Sequence, residues 1–265
     1  MEKVFCSDTW KKIFAENGLK TFEDFYHRIQ KKRINSNHRR NVSIFQLKID
    51  GVDKNFFLKR FRHCHLKDTI FAFLNTGKFC TQAAFEWSNI KLLEKNNIGA
   101  PHCVCFGEQL RLGFERKSFI ITEELKGQCL TDFIAQNWGQ MTGEEKENLI
   151  KSLGNEIKKI HNSWISLPDL YVWHIFISRE NEEYTFSFID LNRMKRHVTN
   201  PNEKMEDLGR LHYSMIDKYF DEPIRRKLIE TYAGKEKPEK IEKLVRRVKK
   251  YSKKFSARRK TKPNY

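Results

Sequence analysis

Between residues 169 and 190 the chain has little choice but to form two short strands with charged or ligating side chains at their ends. Asp169-Leu-Tyr-Val-Trp-His174 leads into apolar Ile175-Phe-Ile-Ser178, and Tyr184-Thr-Phe-Ser-Phe-Ile189 runs into Asp190-Leu-Asn-Arg193. Short runs rich in β-branched and aromatic residues favour strands. The pattern predicts Asp169 ahead of the first strand, His174 at its start and Asp190 at the close of the second. Pro168 disfavours helix at Leu167 and so helps to fix the approach to Asp169.

The rest of the chain sets limits on what such a strand pair could serve. With 265 residues it can bury a sizeable core in one or two domains. A net charge of +17, from 51 basic and 34 acidic residues, points to an anionic partner: nucleic acid, a phosphorylated glycan or a membrane surface. The six cysteines form no Cys-x-x-Cys pair, which fits reduced thiols in a cytoplasmic protein better than a zinc site or a disulfide framework. No stretch reaches the roughly 18 apolar residues of a spanning helix, and Met-Glu-Lys-Val-Phe does not open a signal peptide. The expectation is a soluble protein, or one that rests on a membrane.

Ahead of the strand pair, residues 7–27 predict one or two short helices, capped by Ser7 or Asp8 and stopped at Gly18, with a second start at Thr21-Phe-Glu-Asp24. Strands are expected over 27–34, 42–49 and 55–61, the last two joined by an Asp50-Gly51 turn. A strong helix follows over 79–96, and then strands over 101–107 and 117–125.

Protein-kinase-type phosphotransfer sites place a catalytic Asp, a metal ligand five residues on and a metal-binding Asp after the next strand. By that template Lys59, on the strand 55–61, is the candidate to bridge nucleotide phosphates; by period-two alternation it could equally point outward. Glu86 is preferred to Glu94 as its helical partner, since Glu86 sits among apolar neighbours. The run Thr122-Glu-Glu-Leu-Lys-Gly127 reads as a linker, with the backbone of Glu123 and Leu125 facing an adenine ring; an ordinary strand-to-helix turn is the competing reading. The loop 35–41 holds no glycine, so Arg39 and Arg40 are candidates to touch phosphate with side chains, against the plain alternative of surface arginines.

Beyond Gly127 the pattern turns helical, over 130–137 and then from a Thr142 cap to His161, with Leu149, Ile150, Leu153, Ile157 and Ile160 on one side. Asp207 could cap a helix or bond the loop before Asp169, and His161 is expected to pack beneath that loop. From Lys235 to Lys262 there are 14 Lys or Arg against three Glu. Ile241, Leu244, Val245, Val248, Tyr251 and Phe255 share a helix face there, which could lie on an anionic membrane or dock on the protein. Residues 257–265 are expected to be flexible.

Phe57-Leu-Lys59, Phe85-Glu-Trp87, Phe119-Ile-Ile-Thr-Glu-Glu-Leu125, the Asp169–His174 run, Phe188-Ile-Asp-Leu-Asn-Arg193 and Glu206-Asp-Leu-Gly-Arg-Leu211 together resemble the bacterial lipopolysaccharide core kinases. That family includes the heptose and Kdo kinases, and the Asp-x-Tyr-x-x-His and Ile-Asp-Leu-x-Arg runs are most similar to the heptose branch. The resemblance implies an α+β, protein-kinase-like two-lobed fold: residues 1–125 as a small antiparallel-sheet lobe, and 126–265 as a mainly helical lobe. It implies transfer of phosphate from ATP, with Mg2+, to a sugar hydroxyl of the lipopolysaccharide inner core; a histidine ligand would also tolerate Mn2+. Lys59 and Glu86 would serve the nucleotide, Asp169 would be the base, and His174 and Asp190 the metal ligands. The enzyme would sit peripherally at the cytoplasmic face of the bacterial inner membrane, its basic C-terminal segment on anionic lipid. Leu167 and Pro168 depart from the family's usual His-Arg, and Trp164 replaces a small residue.

Other readings stay open: a protein or small-molecule kinase of the same fold, a scaffold without catalysis, or a basic nucleic-acid-binding protein. The last is disfavoured, since binding a phosphate backbone has no use for Lys59, Asp169 and Asp190 at this spacing.

Overall fold

The Asp50-Gly51 turn, with both residues at positive φ, joins the two long strands around which the first half of the chain is built. The structure is a computed structural model that describes residues 1–29, 32–36, 39–181, 183–258 and 263–265, with backbone alone for 28 and 32–36. Two compact units emerge, one of residues 1–93 and 101–125, the other of 94–100 and 126–265.

The first unit holds β1 (Glu2–Cys6), α1 (Asp8–Glu16), β2 (Lys32–Ser36), β3 (Arg40–Ile49), β4 (Val52–Arg62), α2 (Leu66–Thr76), α3 (Gln82–Lys95), β5 (Cys103–Arg111) and β6 (Phe114–Glu123). Its strands form one antiparallel sheet in the order β1-β5-β6-β4-β3-β2. Ser7 caps α1 as expected. Asp24 Oδ2 accepts from the Thr21 N–H (2.8 Å) and hydroxyl (2.8 Å), and this cap starts a π-helical turn, Asp24–Arg28. That turn displaces the strand expected over 27–34, and the strand found is β2; residues 30 and 31, like 37 and 38 of the glycine-free loop, lie outside the described residues.

Period-two alternation gives β4 two different faces. Phe56, Leu58 and Arg60 point to a core with Phe14, Phe25 and Phe119, whose rings meet at 5.0 Å (Phe14–Phe25) and 5.3 Å (Phe25–Phe119). The buried Arg60 guanidinium donates to the carbonyls of Tyr26 (2.7 Å) and Phe25 (3.3 Å), at the end of the π turn, where carbonyls lack helical partners. Lys59 faces the opposite side, towards α3.

The second unit holds β7 (Gln128–Cys129), α4 (Leu130–Asn137), α5 (Gly143–Asn162), β8 (Ile175–Glu180), β9 (Glu183–Phe188), α6 (Pro201–Ser214), α7 (Glu222–Ala233) and α8 (Pro238–Arg258). β7, β8 and β9 make an antiparallel sheet. Thr142 and Glu145 form the capping box that starts α5, and the apolar positions read from the sequence are buried along it. Two glycines seat passing chain on the small sheet. A Cβ at Gly99 would lie 2.1 Å from the Phe186 carbonyl oxygen, and one at Gly127 (φ +82°) 2.0 Å from that of Ile177. The Gly99 carbonyl accepts from the Phe188 N–H (3.0 Å).

The apolar stripe of α8 docks on α6. Val245 and Val248 are buried, Gly209 admits Tyr251, and the Arg210 guanidinium lies 4.5 Å from the Phe255 ring centre. The expectation of a flexible 257–265 fails at its end, where the Tyr265 hydroxyl donates to the Ser214 carbonyl (2.7 Å); residues 259–262 lie outside the described set.

His212 lies between α6 and α8, its Nδ1 3.0 Å from the Ser252 hydroxyl and its Nε2 buried without a hydrogen-bond partner among the described residues. Burial, and then the charge of Arg225, push its pKa down from 6.5 to about 4; Glu222, Lys249 and Asp217 are the other charges that act on it. Between those pH values the unfolded chain binds the extra proton. This contribution is therefore complete above about pH 6.5 and is lost as pH falls towards 4, amounting to roughly 3 kcal/mol. Urea unfolding at pH 7 and pH 5 should show the drop, and His212→Gln should flatten it.

Candidate active site

In the first unit the Lys59 ammonium lies 2.9 Å from Glu86 Oε1, both side chains largely buried. β4 supplies the lysine from its outer face and α3 the acid from its buried side, so Glu86, rather than Glu94, meets Lys59. The buried ion pair keeps the ammonium in a defined place. At the end of β6 the Glu123 N–H donates to the His102 carbonyl (2.9 Å), and its carboxylate lies 2.7 Å from His102 Nδ1. The sheet edge thus uses the Glu123 N–H. Leu125 is the last residue of this unit.

In the second unit Asp169, His174 and Asp190 line one pocket, together with Pro168, Phe188 and Met194. Tight turns build it. The Leu170 N–H donates to the Leu167 carbonyl, the Tyr171 N–H to that of Asp169, and the His174 N–H to that of Tyr171, each at 2.9 Å. His174 therefore closes a 3-10 turn, Val172–His174, just before β8, rather than opening the strand itself. Its Nδ1 is 2.8 Å from the Asp169 carbonyl oxygen, which can only accept; Nδ1 carries the proton and the Nε2 lone pair is left to ligate. Asp190 follows β9 in the left-handed region (φ 59°, ψ 57°), a conformation Asp tolerates better than most residues.

Three contacts in this unit escaped the sequence reading or were left open by it. Arg193 Nη1 lies 3.3 Å from Asp169 Oδ1. The Ser214 hydroxyl accepts from the Val172 N–H (3.0 Å), bracing the segment after Asp169. Asp207, wholly buried in α6, accepts from the Leu167 N–H (2.7 Å), which selects the loop-bonding role over the capping one. His161 packs beneath, its Nε2 3.4 Å from Asp207 and its Nδ1 2.9 Å from the Tyr232 hydroxyl. Burial, and then the Asp207 charge, push the Tyr232 pKa up to about 12. The motif spacing hinted at Arg193 and Asp207; nothing in the sequence singles out Ser214.

Among the described residues no three His, Cys, Asp or Glu side chains are grouped to hold a metal ion. Asp190 and His174 Nε2 offer two donors, a set that fits a divalent cation completed by phosphate oxygens and water. Imidazole suits Mn2+ better than Mg2+.

An antiparallel-sheet unit with a strand lysine paired to a helical glutamate, followed by a mainly helical unit, is the fold of a protein-kinase-like phosphotransferase. A family model described as Lipopolysaccharide kinase (Kdo/WaaP) family matches residues 25–232. Relatives include two proteins named lipopolysaccharide core heptose(I) kinase WaaP. The one from Escherichia coli is 28% identical over 178 residues, 64% of this chain and 67% of that protein. The one from Pseudomonas aeruginosa strain PAO1 is 24% identical over 154 residues, 56% of this chain and 58% of that protein. A solved structure described as WaaP in complex with acyl carrier protein superposes with a TM-score of 0.72 at 20% identity, covering 96% of this chain and 98% of that one. The chain belongs to the lipopolysaccharide kinase (Kdo/WaaP) family.

Proposed function

We propose that the chain transfers the γ-phosphoryl group of ATP to a hydroxyl of an inner-core lipopolysaccharide sugar, heptose before Kdo. The observation that carries this is the shared pocket of Asp169, His174 and Asp190; the names of the relatives favour heptose.

In this reading the Asp169 carboxylate accepts the proton of the sugar hydroxyl as its oxygen bonds to the γ-phosphorus. The bond from that phosphorus to the β–γ bridging oxygen breaks, and ADP leaves with the electron pair. Arg193 holds the Asp169 side chain in one orientation, and the turns from Leu167 to His174 fix where it points. Lys59, steadied by Glu86, binds the α- and β-phosphates, while Glu123 and Leu125 present backbone to the adenine. Asp190 and His174 Nε2 would hold a divalent cation, which when bound neutralises phosphate charge. The acceptor class places the enzyme at the cytoplasmic face of the inner membrane, with the solvated basic face of α8 against anionic lipid.

The decisive experiment incubates purified inner-core glycolipid with ATP, Mg2+ and the enzyme and weighs the product. A gain of one phosphate on heptose is expected. A gain on Kdo alone would reassign the acceptor, and no gain on either would overturn the reading in favour of a protein or small-molecule acceptor.

A further inference from the structure

Helix α2 is built as though two solvents surrounded it. Of its 11 residues only Ala72 is buried. On the inner side Phe71 meets Phe85 of α3 edge-on at 5.9 Å, which fixes the helix to the unit. On the outer side Leu66, Ile70, Phe73 and Leu74 stand 65%, 46%, 38% and 76% exposed. At 3.6 residues per turn these four fall within an arc of about 100°. Phe79, 74% exposed, stacks on Phe73 with ring centres 4.6 Å apart and extends the patch past the end of the helix. A contiguous exposed apolar face of this kind marks a surface that meets something other than water.

The charges around the patch select what it meets. Lys67 and Lys78 are exposed at its two ends. Asp68, the acid on this helix, is turned back to its start, where it accepts from the His65 N–H (3.4 Å). The rim is therefore cationic, which suits anionic head groups and repels a second copy of itself. A helix of 11 residues reaches only about 16 Å, too short to cross a bilayer, but it can lie in one with its apolar face among the upper acyl chains.

We propose that α2 is an interfacial helix whose Leu66–Ile70–Phe73–Leu74 face, extended by Phe79, inserts into the surface of an anionic phospholipid bilayer. The stripe of α8 is taken up in packing on α6, with Val245 and Val248 buried, whereas the outer face of α2 packs on nothing among the described residues but Phe79. For its purpose, access to a lipid-anchored acceptor, the proposal rests on the function proposed above. For the binding itself it does not.

The test uses the full chain and vesicles of phosphatidylglycerol with phosphatidylcholine that carry no glycolipid. The wild type should float with them, and hydrogen exchange across residues 66–79 should slow on binding. Ile70→Ser with Leu74→Ser, both exposed and so compatible with folding, should weaken partition by at least about tenfold. Phosphorylation of a deacylated, water-soluble core acceptor by this variant should stay at the wild-type rate. Equal partition of variant and wild type, or unslowed exchange over 66–79, would overturn the proposal, as would slowing caused by self-association without lipid. Should the variant fail to fold, the exchange pattern of the wild type decides alone. Failure of the soluble acceptor to react would count against the proposed function and leave the vesicle result standing.

Discussion

Asp169→Asn is expected to cut turnover by about 10²–10⁴-fold, the range by which a positioned base accelerates proton transfer. The substitution keeps the shape of the side chain, which is only 18% exposed, and removes its capacity to take a proton. The neighbouring guanidinium of Arg193 loses its counter-charge but stays largely solvated, so little stability should be lost with the activity. Nucleotide affinity should move little, because in the proposed mechanism the base acts on the acceptor hydroxyl. Steady-state kinetics beside calorimetric titration of ATP would separate these effects. Turnover equal to the wild type would remove Asp169 from the chemistry and revive the reading of a scaffold.

Asp207→Ala should be the most damaging single change to the second unit. It strips the Leu167 N–H of its acceptor and leaves His161 and Arg210 beside an empty place where a carboxylate bound all three. Breaking a buried charged network by removing one member costs about 3–5 kcal/mol. For a unit of this size that lowers the melting temperature by about 10 °C. Asp207→Asn keeps one acceptor oxygen and should cost less than half as much. Calorimetry on the three proteins checks both statements. The alanine variant should also lose turnover in what remains folded, since the bond to Leu167 holds the approach to Asp169.

What could be read from the residues alone was whatever is decided locally. Thr142 with Glu145 announced α5 and the Asp50-Gly51 pair announced a hairpin, while Lys59 was matched to Glu86 only through the kinase template. β1 was missed because it offers five residues with two charges and finds its partner, β5, about a hundred residues away. α2 was missed for a different reason. Its apolar residues lie on two sides, Leu66, Ile70, Phe73 and Leu74 in solvent and Phe71 and Ala72 inward, so they do not mark one buried stripe. Arg193 stood out in the Ile-Asp-Leu-x-Arg run, but its partner Asp169 lies 24 residues away and was not legible. The tail left docking and membrane contact open together, and Gly209 and Arg210 receive its apolar side.

Gly99 and Gly127 have a consequence for which substitutions the small sheet of the second unit tolerates. The backbone passes between the two units near residues 93, 100 and 125, and the segments carrying these two glycines are fastened directly onto β8 and β9. The same strand pair ends at His174 and Asp190. A single methyl group at either glycine would therefore push the passing chain off β8 or β9, the strand pair that lies between His174 and Asp190.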